Sequence, residues 1–363
     1  MISLVAILAC NESNSNGEPT DANTGGNGGA PGGNGGAGGD GGGNGGAGGG
    51  GGTGGTAGTG SGLCSDGGWH EPPGFTPIKA LADYITTEED TDVGLMRILH
   101  YAPDTTPVGL VWVFHGTGGK LSDLTQIEFL RIYNALAPDN FAIVAIESQD
   151  RGVDAKWDLS TDPNNADWPA LLAAHQWMVD NTTVEVDTPM FTSAFSNGSV
   201  FTGTFWSLAE REGWDMRAAD IHAGAPNEPI SGAAIGWQGE NDNEIFGLQN
   251  WVDDQVADGQ IATFTEHLEH PLDPMGMLVL PFVTDEVASQ LAFDEAVRLG
   301  LIDETGTRAF DLPALETNIA LYNAESTGPV PDQVGAQLRV VFATHRVNGV
   351  GYEAIRDLFM CSL

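Results

Sequence analysis

Ser196 stands in the stretch Ala194-Phe195-Ser196-Asn197-Gly198, behind a short apolar run that follows Pro189 and ahead of a segment with helical spacing. A strand, a tight turn carrying a Ser and then a helix is the setting that thrusts a hydroxyl out as a nucleophile. Such a turn needs small residues on both sides, because its Ser backbone is strained and strand and helix pass close together. Ala194 and Gly198 meet that demand. The blander alternative is a Ser-rich loop joining two core elements. A nucleophilic Ser would perform acyl transfer, which also needs a base, an acid to orient the base, and N–H donors for an oxyanion. The backbone N–H of Asn197 is one donor candidate, and the loop His115-Gly116-Thr117-Gly118-Gly119 offers Gly116, Thr117 and Gly118. That loop follows an apolar run, and its glycines let backbone N–H groups turn inward. No Gly-Lys-Ser/Thr follows it, which disfavours a phosphate cradle.

Eight histidines compete for the role of base. His70 and His100 come early, His175 falls within a helical pattern as surface or core filler, and His222 follows a strand pattern as a rim residue. His267 and His270 have a spacing that would suit a metal, but no third ligand accompanies them, and no metal site is expected. In α/β-hydrolases the chain order is Ser, acid, His. On that order His345 is the base, just beyond a run at 336–343 that reads as the last strand, and Asp242 is the acid, after the strand pattern at 233–238. Gly239 permits the turn before Asp242, while Glu240 and Glu244 are rivals for its role.

The glycine loop at 115–119, the Ser196 turn, the segment Gly239-Glu240-Asn241-Asp242 and His345 occur in the order of the α/β-hydrolase fold. Within that superfamily the chain resembles secreted polyhydroxybutyrate depolymerases and feruloyl esterase-like proteins. These often carry Gly-x-Ser-Asn-Gly-Gly at the elbow and a Trp and an Asp before the preceding helix, as Trp157 and Asp167-Trp168 do here. The resemblance covers roughly residues 93–248 and 338–359. The chain departs from it at Ala194, at Ser199, in the segment 246–335, and at Arg346-Val347-Asn348. The resemblance implies a Ser196, Asp242 and His345 triad, an acyl-enzyme, no cofactor and an ester substrate, polymeric or with a hydroxyacyl or aromatic acid. A serine peptidase on the same fold and a non-catalytic binding module are the alternatives.

The elements that must position these residues are legible in outline. Residues 93–101, 108–114, 141–146, 189–195, 216–223 and 233–238 read as strands, the runs at 108–114 and 141–146 being continuous enough for burial on both faces. Residues 121–136, 167–179, the stretch up to Arg211, and 352–359 read as helices, with Asp167 as an acidic cap. Alternating strands and helices predict an α/β fold with a mostly parallel sheet covered on both faces. Helical patterns at 286–299 and 312–322 predict a cap formed by residues 246–335.

The catalytic domain is expected to span 63–363, after a Gly-rich tether at 11–62 that cannot bury a core. A tether of that length reaches about 40 Å. The net charge of −37 argues against nucleic acid or an anionic membrane as partner, and fits a saline habitat or an acidic secreted enzyme. Residues 1–10, ending Ile-Leu-Ala-Cys10, resemble the lipobox of bacterial lipoproteins, which implies lipidation of Cys10 and an extracytoplasmic location, lipid-anchored or secreted. The run carries no Lys or Arg before it and is short for a signal peptide. With Cys10 lipidated, Cys64 and Cys361 remain as a disulfide pair in an oxidising compartment.

Overall fold

The two continuous apolar runs form the centre of the sheet. In the computed structural model, β3 (Gly109–Phe114) and β4 (Phe141–Ile146) are buried along their whole lengths and pair in parallel. The structure describes residues 85–363, apart from 92–93, 151, 153, 243–246, 281–282, 284 and 348. Cys10, Cys64, His70, Glu244, the expected tether and the lipobox-like run lie outside those residues. The remaining strands are β1 (Ile85–Thr91), β2 (Gly94–Tyr101), β5 (Met190–Phe195), β6 (Met216–His222), β7 (Ala233–Gly239) and β8 (Ala262–His267). The order across the sheet is β1-β2-β4-β3-β5-β6-β7-β8. Only the β1–β2 and β2–β4 pairs are antiparallel. This is an α/β-hydrolase fold.

Helices cover both faces. One face buries Trp112, Phe114, Leu171, Phe201, Phe205 and Trp206, with α2 (Trp168–Asn181) and α3 (Asn197–Arg211) laid over it. The other buries Val111, Tyr133, Phe191, Trp237, Ile355 and Phe359 beneath α1 (Ile127–Leu136) and α8 (Tyr352–Cys361). The chain leaves β3 toward β4 on one side, and β5 lies on the other. The loops after β3 and β5 therefore meet at a reversal of strand order, the usual place for a site in such sheets.

Two expectations are corrected. Residues 336–343 do not form a strand: they lie largely in α7 (Pro331–Val341). Val334, Leu338 and Val341 recur at helical spacing and bury together, and Pro331 opens the helix where its missing N–H costs nothing. The adjacent Val340 and Val341 carry a β preference that this packing overrides. The last strand is instead β8, which follows α4 (Leu248–Ala257) and pairs with β7. Its Ala-Thr-Phe-Thr-Glu-His sequence is half-buried at the sheet edge and has no apolar run to betray it. The segment 246–335 is therefore not one insertion, since β8 belongs to the sheet and α4 is the crossover that leads to it.

The true excursion begins after β8. It holds α5 (Glu286–Arg298) and α6 (Leu315–Glu325), and with α7 it builds a third core around Met277, Phe293, Ile319, Tyr322, Leu338 and Phe342. Asp285 caps α5 by accepting the Ala288 N–H at 2.8 Å. Among the described residues, no helix is long and apolar enough to cross a membrane.

Candidate active site

β5 ends at Phe195, and Ser196 takes φ 55° and ψ −120°, a left-handed conformation that strains a residue bearing a Cβ. Its surroundings leave no alternative. The Ser196 N–H donates to the His222 carbonyl at 2.9 Å. A Cβ on Gly198 would lie 2.6 Å from the carbonyl oxygens of both Phe114 and His115, so only Gly fits where α3 passes the end of β3. Ala194, at the position where the resemblance has Gly, is fully buried between Phe114 and Ile221 and fits without strain. Ser199, at the second departure, is an added anchor. Its hydroxyl donates to the His222 carbonyl at 2.7 Å and accepts the His222 N–H at 3.2 Å, tying α3 to the end of β6.

The three candidates for the chemistry come together. His345 Nε2 lies 2.9 Å from Ser196 Oγ, and His345 Nδ1 lies 3.0 Å from each oxygen of Asp242. The Asp242 side chain is fully buried, whereas 15% of the His345 side chain is exposed. A carboxylate can only accept, so Nδ1 carries the proton and Nε2 is left to accept the serine hydroxyl. The Phe195 ring packs against His345 at 4.9 Å. Of the rivals to Asp242, Glu240 is exposed and accepts the Glu269 N–H instead.

The glycine loop presses against the serine. A Cβ on Gly116 would stand 3.1 Å from Ser196 Cβ. The His115 side chain shapes the loop from inside: Nδ1 donates to the Gly116 carbonyl at 2.7 Å while Nε2 accepts the Ser148 N–H at 3.0 Å. Gly118 is not free to serve as a donor. Its N–H is taken by the Ala155 carbonyl at 2.8 Å, and its φ of 70° marks it as the residue that turns the loop. Asn197 opens α3, where no carbonyl of its own helix is available to its N–H.

Trp157 and Asp167 brace this wall. Trp157 donates its indole N–H to the His115 carbonyl at 2.9 Å, offers its backbone N–H to Asn197 Oδ1 at 2.8 Å, and stacks on Phe201. The Asp167 side chain does not cap α2. It is buried and accepts the backbone N–H groups of Gln149 and Asp158, while Asn165 Oδ1 takes those of Asp167 and Trp168.

The other histidines serve elsewhere. His175 is buried against Trp214, and burial pushes its pKa down to about 4. His100 meets the Trp177 ring edge-on. His222 is not a rim residue: it is fully buried, with Nε2 at 2.9 Å from the Asp220 carboxylate, which also accepts the Ser193 hydroxyl at 2.7 Å. This buried trio under the elbow has no sequence signal beyond polar residues inside strand patterns. His267, at the end of β8, donates Nε2–H to the Val340 carbonyl, and burial holds it below the usual imidazole range. Among the described residues no group of three or more His, Cys, Asp or Glu is placed to hold a metal. Cys361 closes α8 and is half-buried.

No protein-family model matches the chain, and no curated protein matches it by sequence. Solved structures do. An arylesterase matches at 13% identity and a TM-score of 0.39, over 53% of this chain and 79% of its own. An esterase from Pyrobaculum calidifontis matches at 12% and 0.41, over 55% and 81%. A putative dienelactone hydrolase from Klebsiella pneumoniae matches at 16% and 0.36, over 50% and 83%.

Proposed function

We propose that the protein is a serine hydrolase that cleaves carboxylic esters through an acyl-enzyme on Ser196. The observation that carries this reading is the unbroken hydrogen-bonded chain from Asp242 through His345 to a serine held at positive φ just ahead of α3. His345 Nε2 takes the hydroxyl proton as Ser196 Oγ bonds to the ester carbonyl carbon, and Asp242 stabilises the imidazolium that results. The oxyanion is received by the N–H of Asn197, aided by the N-terminal end of the helix, and by the Gly116–Thr117 side of the glycine loop. Collapse breaks the bond to the alcohol, which leaves with the proton from His345. Water then repeats the sequence, with His345 as its base, to release the acid and restore Ser196.

The substrate class is a polyester, hydroxyacyl or aromatic ester, on the strength of the motif resemblance to depolymerase and feruloyl esterase-like proteins. The protein acts outside the cytoplasm, either secreted or tethered by a lipid on Cys10, a reading that rests on the lipobox-like run and the Gly-rich segment behind it. Intact-mass analysis of the membrane fraction should find a diacylglyceryl-modified N-terminal Cys10; an unmodified Cys10 in that fraction removes the anchor.

The deciding experiment is labelling of the full chain with a fluorophosphonate, followed by peptide mapping. Label is expected on Ser196 and absent from Ser196→Ala, which should lose ester turnover while keeping its fold. Asp242→Asn should slow p-nitrophenyl acetate hydrolysis about 10³- to 10⁴-fold by favouring the wrong imidazole tautomer. Turnover by Ser196→Ala at the wild-type rate would refute the nucleophile.

A further inference from the structure

His345 does not extend from the end of a strand. It sits in the connection from α7 to α8, so its position depends on what grips that connection from the side. Asn241, the residue before Asp242, does so twice, and a third bond ties it to Glu269. Its backbone N–H donates to the Ala343 carbonyl at 2.9 Å. Its side-chain amide donates to the Phe342 carbonyl at 2.9 Å and to Glu269 Oε2 at 2.8 Å. Both of these partners are acceptors, which fixes which end of the amide is nitrogen. Glu269, two residues past β8, is held by Arg308 of the helical excursion through a two-pronged fork of 3.0 Å and 3.0 Å, the stronger geometry for such a pair. Arg308 also donates to the Phe310 carbonyl and lies over the Phe310 ring, which meets Phe342 edge-on at 5.7 Å.

We propose that Arg308, Glu269 and Asn241 form a positioning relay through which the helical excursion sets the His345 ring for reaction at Ser196. The proposal rests on the hydrolase reading of that serine. The three residues act through the backbone of Phe342 and Ala343, immediately ahead of Thr344 and His345. Ala343 adopts a φ of 51°, so this backbone is strained and relaxes when its carbonyls are released. Asn241 and Asp242 are consecutive, so one dipeptide orients the imidazole and anchors the segment that carries it. Glu269 and Arg308 are both partly buried, and the fork is less screened than a surface pair. A displacement of His345 by about 1 Å slows chemistry up to about 100-fold without removing a substrate contact. The relay therefore governs turnover rather than binding.

The test uses the full chain and measures three quantities: the rate constant of fluorophosphonate labelling at Ser196, kcat and KM on p-nitrophenyl acetate, and the thermal midpoint. Glu269→Ala is expected to slow labelling and kcat together by about 10- to 100-fold, with KM within about twofold of wild type. Glu269→Gln keeps an acceptor for Asn241 but reduces the Arg308 fork to one prong, and should recover part of that loss. Arg308→Lys keeps the charge without the fork and should fall between wild type and Arg308→Met. A lower thermal midpoint in Glu269→Ala with an unchanged labelling rate would reduce the relay to a brace and overturn the proposal. If Glu269→Ala does not fold, equal labelling of Arg308→Lys, Arg308→Met and wild type overturns it instead. Should wild type itself resist labelling, the hydrolase reading fails first.

Discussion

The turn that carries Ser196 and the connection that carries His345 meet within a hydrogen bond, yet they are built by opposite means. Ser196 is held by backbone and by absence: the Ser196 N–H on the His222 carbonyl, and a Gly198 that leaves no space for a side chain against β3. His345 is held by side chains reaching in from other elements. Asn241 grips the approach, and the buried Glu128, paired with Arg131 on α1, accepts the Gly349 N–H at 2.7 Å on the far side. Trp237 of β7 fills the space where a Cβ on Gly351 would stand. A backbone-built turn tolerates side-chain change but no added volume. A connection held by side chains tolerates little truncation of its anchors.

The sharpest way to break this contrast is Gly198→Ala. Its methyl would lie 2.6 Å from two carbonyl oxygens that belong to β3 and the glycine loop, and neither backbone can yield without moving the oxyanion wall. Activity should fall by about 100-fold or more, and stability by about 2–3 kcal/mol. Ser199→Ala, which removes a hydroxyl but adds nothing, should cost about 1 kcal/mol and little rate. Denaturant unfolding and kcat on both variants decide the matter; equal losses would mean that the elbow, too, depends on its side chains.

On the histidine side the corresponding variant is Glu128→Gln. The amide still offers an oxygen to Gly349 but leaves the buried Arg131 without its counter-charge. We expect about a tenfold drop in kcat and a loss of about 3 kcal/mol, since an unpaired buried charge is costly. Unchanged kcat at reduced stability would show that the Gly349 contact secures α8 without setting His345.

The same division explains what the sequence disclosed. Ser196, the glycine loop and the strands beneath them are local: each needs a particular residue type within a few positions, and continuous apolar runs mark β3 and β4. The sequence points to His345 because it follows a run with strand character, but that run is a helix, since Val334, Leu338 and Val341 bury against α5 and α6. Asp242 followed β7 as expected, because Gly239 and the strand pattern lie beside it in sequence. Glu128, Glu269 and Arg308 left no mark, because their partners lie far away along the chain and an acidic sequence offers many equivalent carboxylates. Nor did β8, an edge strand of mixed polarity. The Asp220–His222 pair was hidden for the same reason: its meaning comes from complete burial, which pattern alone does not reveal.

A smaller effect sharpens the comparison through pH. His175 lies on α2, in the core layer that supports β3 and α3, and its folded pKa of about 4 lies well below the unfolded 6.5 because burial disfavours the charged ring. The unfolded chain therefore binds a proton between these values that the folded chain refuses. The stabilisation is fully present above pH 6.5 and is lost as pH falls toward 4, reaching about 3 kcal/mol at most. His175→Phe should flatten this part of the stability profile by removing the proton that unfolding takes up, while the stability at neutral pH changes less. Urea midpoints at pH 7, 5.5 and 4.5 for both proteins measure it. Because α2 and α3 share that core, the loss should reach the elbow as cooperative unfolding, with the labelling rate of the folded fraction the same in His175→Phe and wild type at each pH. A labelling rate that fell with acid in wild type but less so in His175→Phe would place the elbow under side-chain control and erase the distinction between the two halves of the site.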